Sequence, residues 1–342
     1  MATPALMSLR ANFPASEITV LAKPSVAALL LYHPAIDRVL VYESPGRHEG
    51  PIGFLRLVFD MRRERFDLAI LLQNAFEAAL ITYLAGIPKR HGYDTDGRGF
   101  LLTSVVSRKN APRHQRDAFC GIGHSEWPGH VVAGEKNADT PVVASLRLRG
   151  EEVQAARTRL ASFGISQTDF IIGISPGSAA SLAKRWIPER FAEVADRLVE
   201  KYNAKILLLG GSGDRLCAEE VQRTMKHQAI LLTGPFPLRE MMAIISLCNL
   251  SLSNDSGPMH IASAFGIPYI ALFGSTEPAI AFPGGVSGGS LYHAVNCSPC
   301  KFLVCPVNHH CMTAISVEEV LSAAEEVMNK HEKYKRNYRA SP

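Results

Sequence analysis

The sequence predicts an α/β protein built as two doubly wound, parallel-sheet domains. Three observations predict it. Short apolar runs bounded by turn residues alternate with stretches of helical spacing, over residues 17–86 and again over 170–273. Such alternation marks parallel strands joined by helical crossovers. Several of the apolar runs end in glycines and hydroxyls, at Ser175-Pro176-Gly177-Ser178, Gly210-Gly211-Ser212-Gly213-Asp214 and Gly274-Ser275-Thr276. The carboxyl ends of parallel strands are where such sheets bind ligands. Finally, 342 residues suit two domains rather than one. The boundary is expected near residue 165, giving domains over 1–165 and 166–330 and a polar tail over 331–342.

In chain order, residues 3–12 read as a short helix with Pro4 in its first turn, where a missing N–H is harmless. Residues 17–23 read as a strand, 24–33 as a helix closed by Pro34, and 38–43 as a strand. Residues 52–64 alternate apolar and basic at helical spacing, and 66–74 form a buried strand ending in Gln73 and Asn74. A helix then runs to Gly86, and the polar region 89–140 carries no clear period. A helix follows over 150–163, and a strand over 170–177 then restarts the alternation. It continues through helices at 188–201, 214–226 and 238–247 and strands at 205–211 and 229–234. The helix over 315–330 opens on a capping box, Ser316 with Glu319, and the basic tail beyond it is expected to fray. A doubly wound domain ordinarily opens on a strand and a loop, whereas this sequence opens on a helix. The expectation is that an edge strand is missing or that the true start lies upstream of Met1.

Hydrophobic content of 47% and charged content of 20% are ordinary for a globular protein with a real core. A net charge of +4 is too mild to argue for nucleic acid, but it suits an anionic substrate or a membrane surface. No stretch approaches a transmembrane span, and residues 1–16 lack the basic start and unbroken apolar centre of a signal peptide. A cytoplasmic location with peripheral membrane contact is therefore expected. Of seven cysteines, Cys120, Cys217 and Cys248 are scattered and read as buried thiols. Cys297, Cys300, Cys305 and Cys311 cluster beside His309 and His310, a spacing that fits a structural zinc or simply a loop of reduced thiols.

The chain's chemistry centres on Ser253-Asn254-Asp255-Ser256-Gly257-Pro258-Met259-His260. An apolar strand gives way to two N-cap residues, a glycine and a proline, then a helix with small residues. The first turn of a helix offers free N–H groups and positive partial charge, which suits a diphosphate. His260 lies one turn from Ser256 and could meet a phosphate or sugar hydroxyl, or serve as a satisfied supporting histidine. Asp255 could orient backbone amides. Ser178 supplies a hydroxyl at a strand end, and Lys184 in the following loop could neutralise a diphosphate leaving group or lie solvated at the surface. Trp186 reads as core packing, and Asp214 as a nucleotide contact or a helix cap. In the first domain Asn74 and Gln73 end a strand beside Lys89, Arg90, His91, Arg98 and Arg108, a grouping that fits an acidic acceptor or a solvated basic face.

The patterns PGSAASLAKRW, SNDSGPMHIASAFGIPYIALFGSTEP and CSPC…CP…HHC, with QNAFEAALITYLAGIPKRHGY in the first half, resemble glycosyltransferase family 9. These are the ADP-heptose:lipopolysaccharide heptosyltransferases, and the resemblance is greatest to the heptosyltransferase II members. It implies a GT-B architecture: two Rossmann-like domains facing across a cleft, with the last helix packing back on the first domain. It also implies an inverting transfer of heptose from ADP-heptose to the lipopolysaccharide inner core (lipid A bearing Kdo or heptose) at the cytoplasmic membrane face, with no cofactor required. Lys184 matches the family's diphosphate lysine. Asp255, Ser256, Gly257 and His260 match its Asp-Ser/Thr-Gly-x-x-His donor site, so Lys184 and His260 are the catalytic candidates. Ser178 matches a hydroxyl near the phosphates, and Thr276 lies in the Phe-Gly-x-Thr-x-Pro loop.

One departure stands out. The family opens on a strand and a Gly-Asp pair whose aspartate acts as general base, and no residue here matches it. Such a base contributes about 100-fold or more. The readings are therefore a transferase whose start is mis-set, a nucleotide-sugar-binding protein that transfers poorly, or another GT-B enzyme using a UDP-sugar.

Overall fold

The strands of the carboxyl-terminal half are nearly continuous apolar runs because helices cover both faces of their sheet. The computed structural model describes residues 1–124, 146–179, 181–300 and 302–339. It divides into two units, Met1–Arg147 and Leu148–Pro342.

In the first unit the order is α1 (Thr3–Asn12), β1 (Thr19–Ala22), α2 (Pro24–Leu30), β2 (Arg38–Val41), α3 (Gly50–Arg63), β3 (Leu68–Leu71), α4 (Phe76–Leu84), β4 (Lys89–Tyr93), β5 (Ser104–Val106) and α5 (Gln115–His124). All pairing is parallel, as expected for crossover connections. The strands do not form one sheet, however. Among the described residues β1 pairs with β2, β3–β4–β5 form a separate sheet, and no strand joins β1 to β3. A single doubly wound sheet, as the sequence led us to expect, is thus split here. Side chains from both pieces, Val20 near β1 and Ile70 and Leu72 near β3, pack on one cluster with Leu6 and Leu9 of α1. Residues 89–106 are structured where no element was expected. His91, buried at the centre of β4, bonds Ser104 of β5 through Nδ1 at 2.9 Å. Residues 125–140 of that region lie outside the described residues.

The second unit runs α6 (Gly150–Ser162), β6 (Ile171–Ser175), α7 (Pro188–Tyr202), β7 (Lys205–Gly211), α8 (Arg215–Thr224), β8 (Ala229–Gly234), α9 (Leu238–Ser246), β9 (Leu250–Asn254), α10 (Gly257–Ala264), β10 (Tyr269–Phe273), α11 (Pro278–Ala281), β11 (Gly288–Tyr292), α12 (His310–Thr313) and α13 (Val317–Arg339). Its six strands form one parallel sheet in the order β11-β10-β9-β6-β7-β8. Every residue of β6, β9 and β10 is buried. Facing apolar residues of α7 (Phe191, Val194, Ala195, Leu198) and α13 (Val320, Ala324, Val327) complete the core. α7 stops at Asn203, which takes the left-handed conformation (φ 50°) that asparagine tolerates.

Two expectations need correction. The boundary falls at Arg147/Leu148, not near 165, because α6 belongs to the second unit: Glu152 on α6 accepts two hydrogen bonds from the Arg239 guanidinium on α9, one of them at 2.6 Å. Residues 331–339 are not a frayed tail but the last turns of α13, which lacks an interior glycine or proline and carries a Glu326–Lys330 pair at 2.6 Å. α13 packs on α7, β10 and β11 of its own unit. β11, over Gly288–Tyr292, lies where no element was expected. A Cβ on Gly288 would lie 2.5 Å from the Tyr269 Oη, so only glycine lets this edge strand approach β10.

Candidate functional site

In the second unit's sheet the chain winds outward from β6 through β7 to β8, then returns to β9 on the other side of β6 and continues to β10 and β11. The carboxyl ends of β6 and β9 therefore flank the point where strand order reverses, which is where open α/β sheets bind ligands. The Ser178 loop follows β6, the Asp255 turn follows β9, and the Thr276 loop follows β10.

Asp255 is the hub. Its carboxylate is buried, and its backbone N–H donates to the Leu272 carbonyl at 2.9 Å, fixing the turn to β10. Oδ2 accepts from Lys184 Nζ at 2.6 Å and from Thr276 Oγ1 at 2.7 Å. The Lys184 side chain is one-fifth exposed, so the pair sits at the edge of solvent. A buried carboxylate needs such partners, and in exchange it aims the cation.

Ser178 is buried, and its hydroxyl has no hydrogen-bond partner among the described residues. A hydroxyl so placed ordinarily finds a partner, and here a ligand oxygen could supply it. Ser256 begins α10 in extended conformation, but its side chain does not cap the helix as the sequence led us to expect. Its Oγ turns back to the Asn254 carbonyl at 3.2 Å, leaving the first turn of α10 without a side-chain cap. A first turn without that cap remains open to an anion. Gly257 is exposed, and a Cβ built there meets nothing within 4 Å. His260 stands half-buried on the first turns of α10.

Sequence reading missed Asn254, the last residue of β9. It is fully buried; Nδ2 donates to the carbonyls of Pro176 and Gly177 at 2.7 and 3.2 Å, and Oδ1 accepts from the Trp186 N–H at 3.0 Å. One amide thus ties the β9 end to the loops carrying Ser178 and Lys184. A polar residue where an apolar strand meets its turn was the available signal. Trp186 is core, as expected: its indole N–H donates to the Ile315 carbonyl and its ring meets Phe191 edge-on. Asp214 caps the Gly211 N–H and pairs with Arg185 at 3.3 Å.

The expected acceptor group fares differently. Asn74 and Lys89 are exposed. Arg98 is buried completely, and its guanidinium donates to the carbonyls of Tyr93, Gln73 and Ala75. Arg90 donates to the carbonyls of Leu101 and Ile87. Both arginines therefore brace backbone loops, while the buried Arg98 Nη2 has no hydrogen-bond partner among the described residues. Of the scattered cysteines, Cys217 and Cys248 are buried and Cys120 is half-buried; burial pushes the Cys248 thiol up to about 12. Among the described residues no group of three or more His, Cys, Asp or Glu side chains is placed to hold a metal ion.

Comparison with known proteins agrees with this geometry. The model of glycosyltransferase family 9 (heptosyltransferase) matches residues 54–310. Lipooligosaccharide heptosyltransferase 2 of Haemophilus influenzae is 30% identical over 285 residues, covering 80% of this chain and 79% of its own. Lipopolysaccharide heptosyltransferase 2 of Escherichia coli K12 is 28% identical over 282 residues, covering 81% and 79%. Among solved structures, a family 9 glycosyltransferase from Veillonella parvula superposes with a TM-score of 0.82 at 27% identity, over 96% of this chain and 93% of that one. The Escherichia coli ADP-heptose lipopolysaccharide heptosyltransferase II superposes with a TM-score of 0.79 at 23% identity, over 97% and 95%. The fold is thus of the GT-B class. With the family model matching three quarters of its length, this chain belongs to glycosyltransferase family 9, the heptosyltransferases.

Proposed function

We propose that this chain transfers a heptosyl group from ADP-heptose to the inner core of lipopolysaccharide. The observation that carries the reading is the meeting of the Lys184 ammonium, the partnerless Ser178 hydroxyl and the open first turn of α10 at one strand-order reversal. All three favour the oxygens of a diphosphate. The acceptor oxygen attacks the anomeric carbon as its proton passes to water, the bond from that carbon to the diphosphate breaks, and ADP leaves with the bonding electrons. A single displacement inverts the anomeric centre. Lys184 acts as charge builds on the departing diphosphate, where a fixed cation contributes most. Asp255 keeps that cation aimed while Thr276 donates to the same carboxylate oxygen.

The test is transfer itself. Purified protein given ADP-heptose and a heptose-deficient lipopolysaccharide should release ADP and add one heptose mass to the acceptor. Lys184→Ala should lower the rate about 100-fold or more, the scale seen when one charge-stabilising group is removed. ADP binding without acceptor-dependent release would favour the binding-protein reading. Protection by UDP rather than ADP would favour another sugar nucleotide.

We further propose that the enzyme works at the cytoplasmic face of a membrane, docked through α3. Among the described residues no helix is long and apolar enough to cross a bilayer. α3 buries Leu57, Val58 and Met61 on one side, yet on the other it exposes Ile52 (69%), Leu55 (61%) and Phe59 (55%). Exposed Arg56, Arg62 and Arg63 share that outer side, and the Arg63 guanidinium lies 4.5 Å from the Phe59 ring centroid. Arg47 and Asp60 join them around a shallow recess. A helix apolar on both sides and cationic around its outer stripe fits an anionic bilayer surface, where the rings and aliphatics enter the headgroup layer and the arginines meet phosphates.

A further inference from the structure

We propose that the cysteine-bearing segment from Cys297 to Cys311 is a brace for the donor site, and that His309 is its positioning residue. The inference rests on reading Lys184 as the donor-site cation. The segment reaches two loops that sequence leaves unconnected, and both end at Asp255.

On one side it grips the turn that carries Lys184. The Ala183 N–H donates to the Leu303 carbonyl at 3.1 Å, and the Ser181 hydroxyl lies 3.0 and 3.1 Å from the carbonyls of Phe302 and Leu303. His309 Nε2 lies 2.8 Å from the Ala183 carbonyl oxygen. That oxygen can only accept, so Nε2 carries the proton. Both backbone groups of the residue preceding Lys184 are thus held by one segment more than a hundred positions away.

On the other side it grips the loop that carries Thr276. The Cys300 N–H donates to the Ser275 carbonyl at 2.9 Å, and the Ser298 hydroxyl donates to the Gly274 carbonyl. Behind that loop sit Met312 and Cys311, on the short helix that His309 opens. A Cβ on Gly274 would lie 2.2 Å from Met312 Sδ and 3.0 Å from Cys311 Sγ. The loop therefore rests directly on the end of the brace. The brace also closes on itself: burial first, and then the neighbouring thiols of Cys297, Cys305 and Cys300, push the Cys311 thiol up. Through Asp255, which accepts from Lys184 and Thr276 together, both gripped loops fix one cation.

The side chains of Phe302, Leu303, Val304 and Val307 stand exposed, between 53% and 69%. The segment engages the Lys184 turn through its backbone and His309, not through an apolar core of its own. That division is what a positioning element requires, since the reach of a lysine on a short turn depends on where the turn is held.

The experiment measures ADP affinity and unfolding temperature for the full chain and for His309→Ala, His309→Gln and Lys184→Ala. His309 has a left-handed backbone, φ 55°, so alanine and glutamine carry the same strain there and differ in the side-chain donor. His309→Ala should weaken ADP binding about tenfold, the scale of one well-placed hydrogen bond, and His309→Gln should recover most of that loss. If both His309 variants bind ADP like the parent while Lys184→Ala does not, the brace is overturned and the donor site stands. Equal losses in alanine and glutamine variants would overturn the role of the Nε2 hydrogen bond. If Lys184→Ala also binds ADP unchanged, the donor-site reading itself fails, and the inference with it.

Discussion

Gly177 and Gly257 both flank the proposed donor site, but they are glycine for different reasons. A Cβ on Gly177 would lie 2.0 Å from Asp214 Oδ1, so the surrounding protein demands glycine there. A Cβ on Gly257 would meet no protein atom within 4 Å, so glycine at that position leaves room for a ligand. We expect Gly177→Ala to destabilise the fold by about 1–3 kcal/mol, since it displaces Asp214 from Gly211 and Arg185. Gly257→Ala should leave stability within about 0.5 kcal/mol of the parent. Its ADP affinity should still fall about tenfold, or 1.4 kcal/mol. Urea unfolding and ADP titration on the two variants check this, and a Gly257→Ala protein that binds ADP normally would contradict the assignment. At this scale the sequence disclosed residue types well and partners poorly. Asp255, Ser178 and Lys184 could be singled out as candidates because acids, hydroxyls and cations at strand ends suit phosphate chemistry. The backbone contacts of Arg90 and Arg98 were not legible, because a sequence cannot reveal which carbonyls a guanidinium will meet. Asn254 was invisible as a staple because its partners lie 68 to 78 positions away.

At the scale of elements, strands rich in Val, Ile and Leu declared themselves, and so did helices with one apolar stripe. β4 did not, because Lys89-Arg90-His91-Gly92-Tyr93 looks polar, yet His91 and Tyr93 are buried. β11 was hidden by glycines that exist to clear Tyr269 and Ile270. α3 was legible in both its aspects, the buried stripe and the basic alternation, and its outer face yields a prediction. The parent protein should sediment with vesicles containing phosphatidylglycerol and far less with neutral phosphatidylcholine vesicles, more weakly as salt rises. A Leu55→Glu/Phe59→Glu variant changes only exposed side chains, so it should fold normally. It should bind those vesicles at least tenfold more weakly, given about 1.5–3 kcal/mol for each large apolar side chain buried. Equal sedimentation of parent and variant would refute α3 as the docking element, and self-association lost in the variant would point to a second copy of the chain instead.

For the molecule as a whole, the two-unit plan followed from length and alternation, but the boundary did not. α6 reads as the last helix of the first half until the Glu152–Arg239 pair ties it to α9. The second unit's strand order is what turns four scattered motifs into one site, because the reversal at β6 and β9 brings the Ser178, Lys184, Asp255 and Thr276 loops to one end of the sheet. The first unit lacks a described strand between β1 and β3, and its sheet stays in two pieces.

The most direct test of the account is a crystal structure of the protein with ADP-heptose. We predict the diphosphate within about 2.7–3.2 Å of Lys184 Nζ, of Ser178 Oγ and of an amide in the first turn of α10. Diphosphate density elsewhere on the molecule, with those three groups left without it, would contradict the central claim.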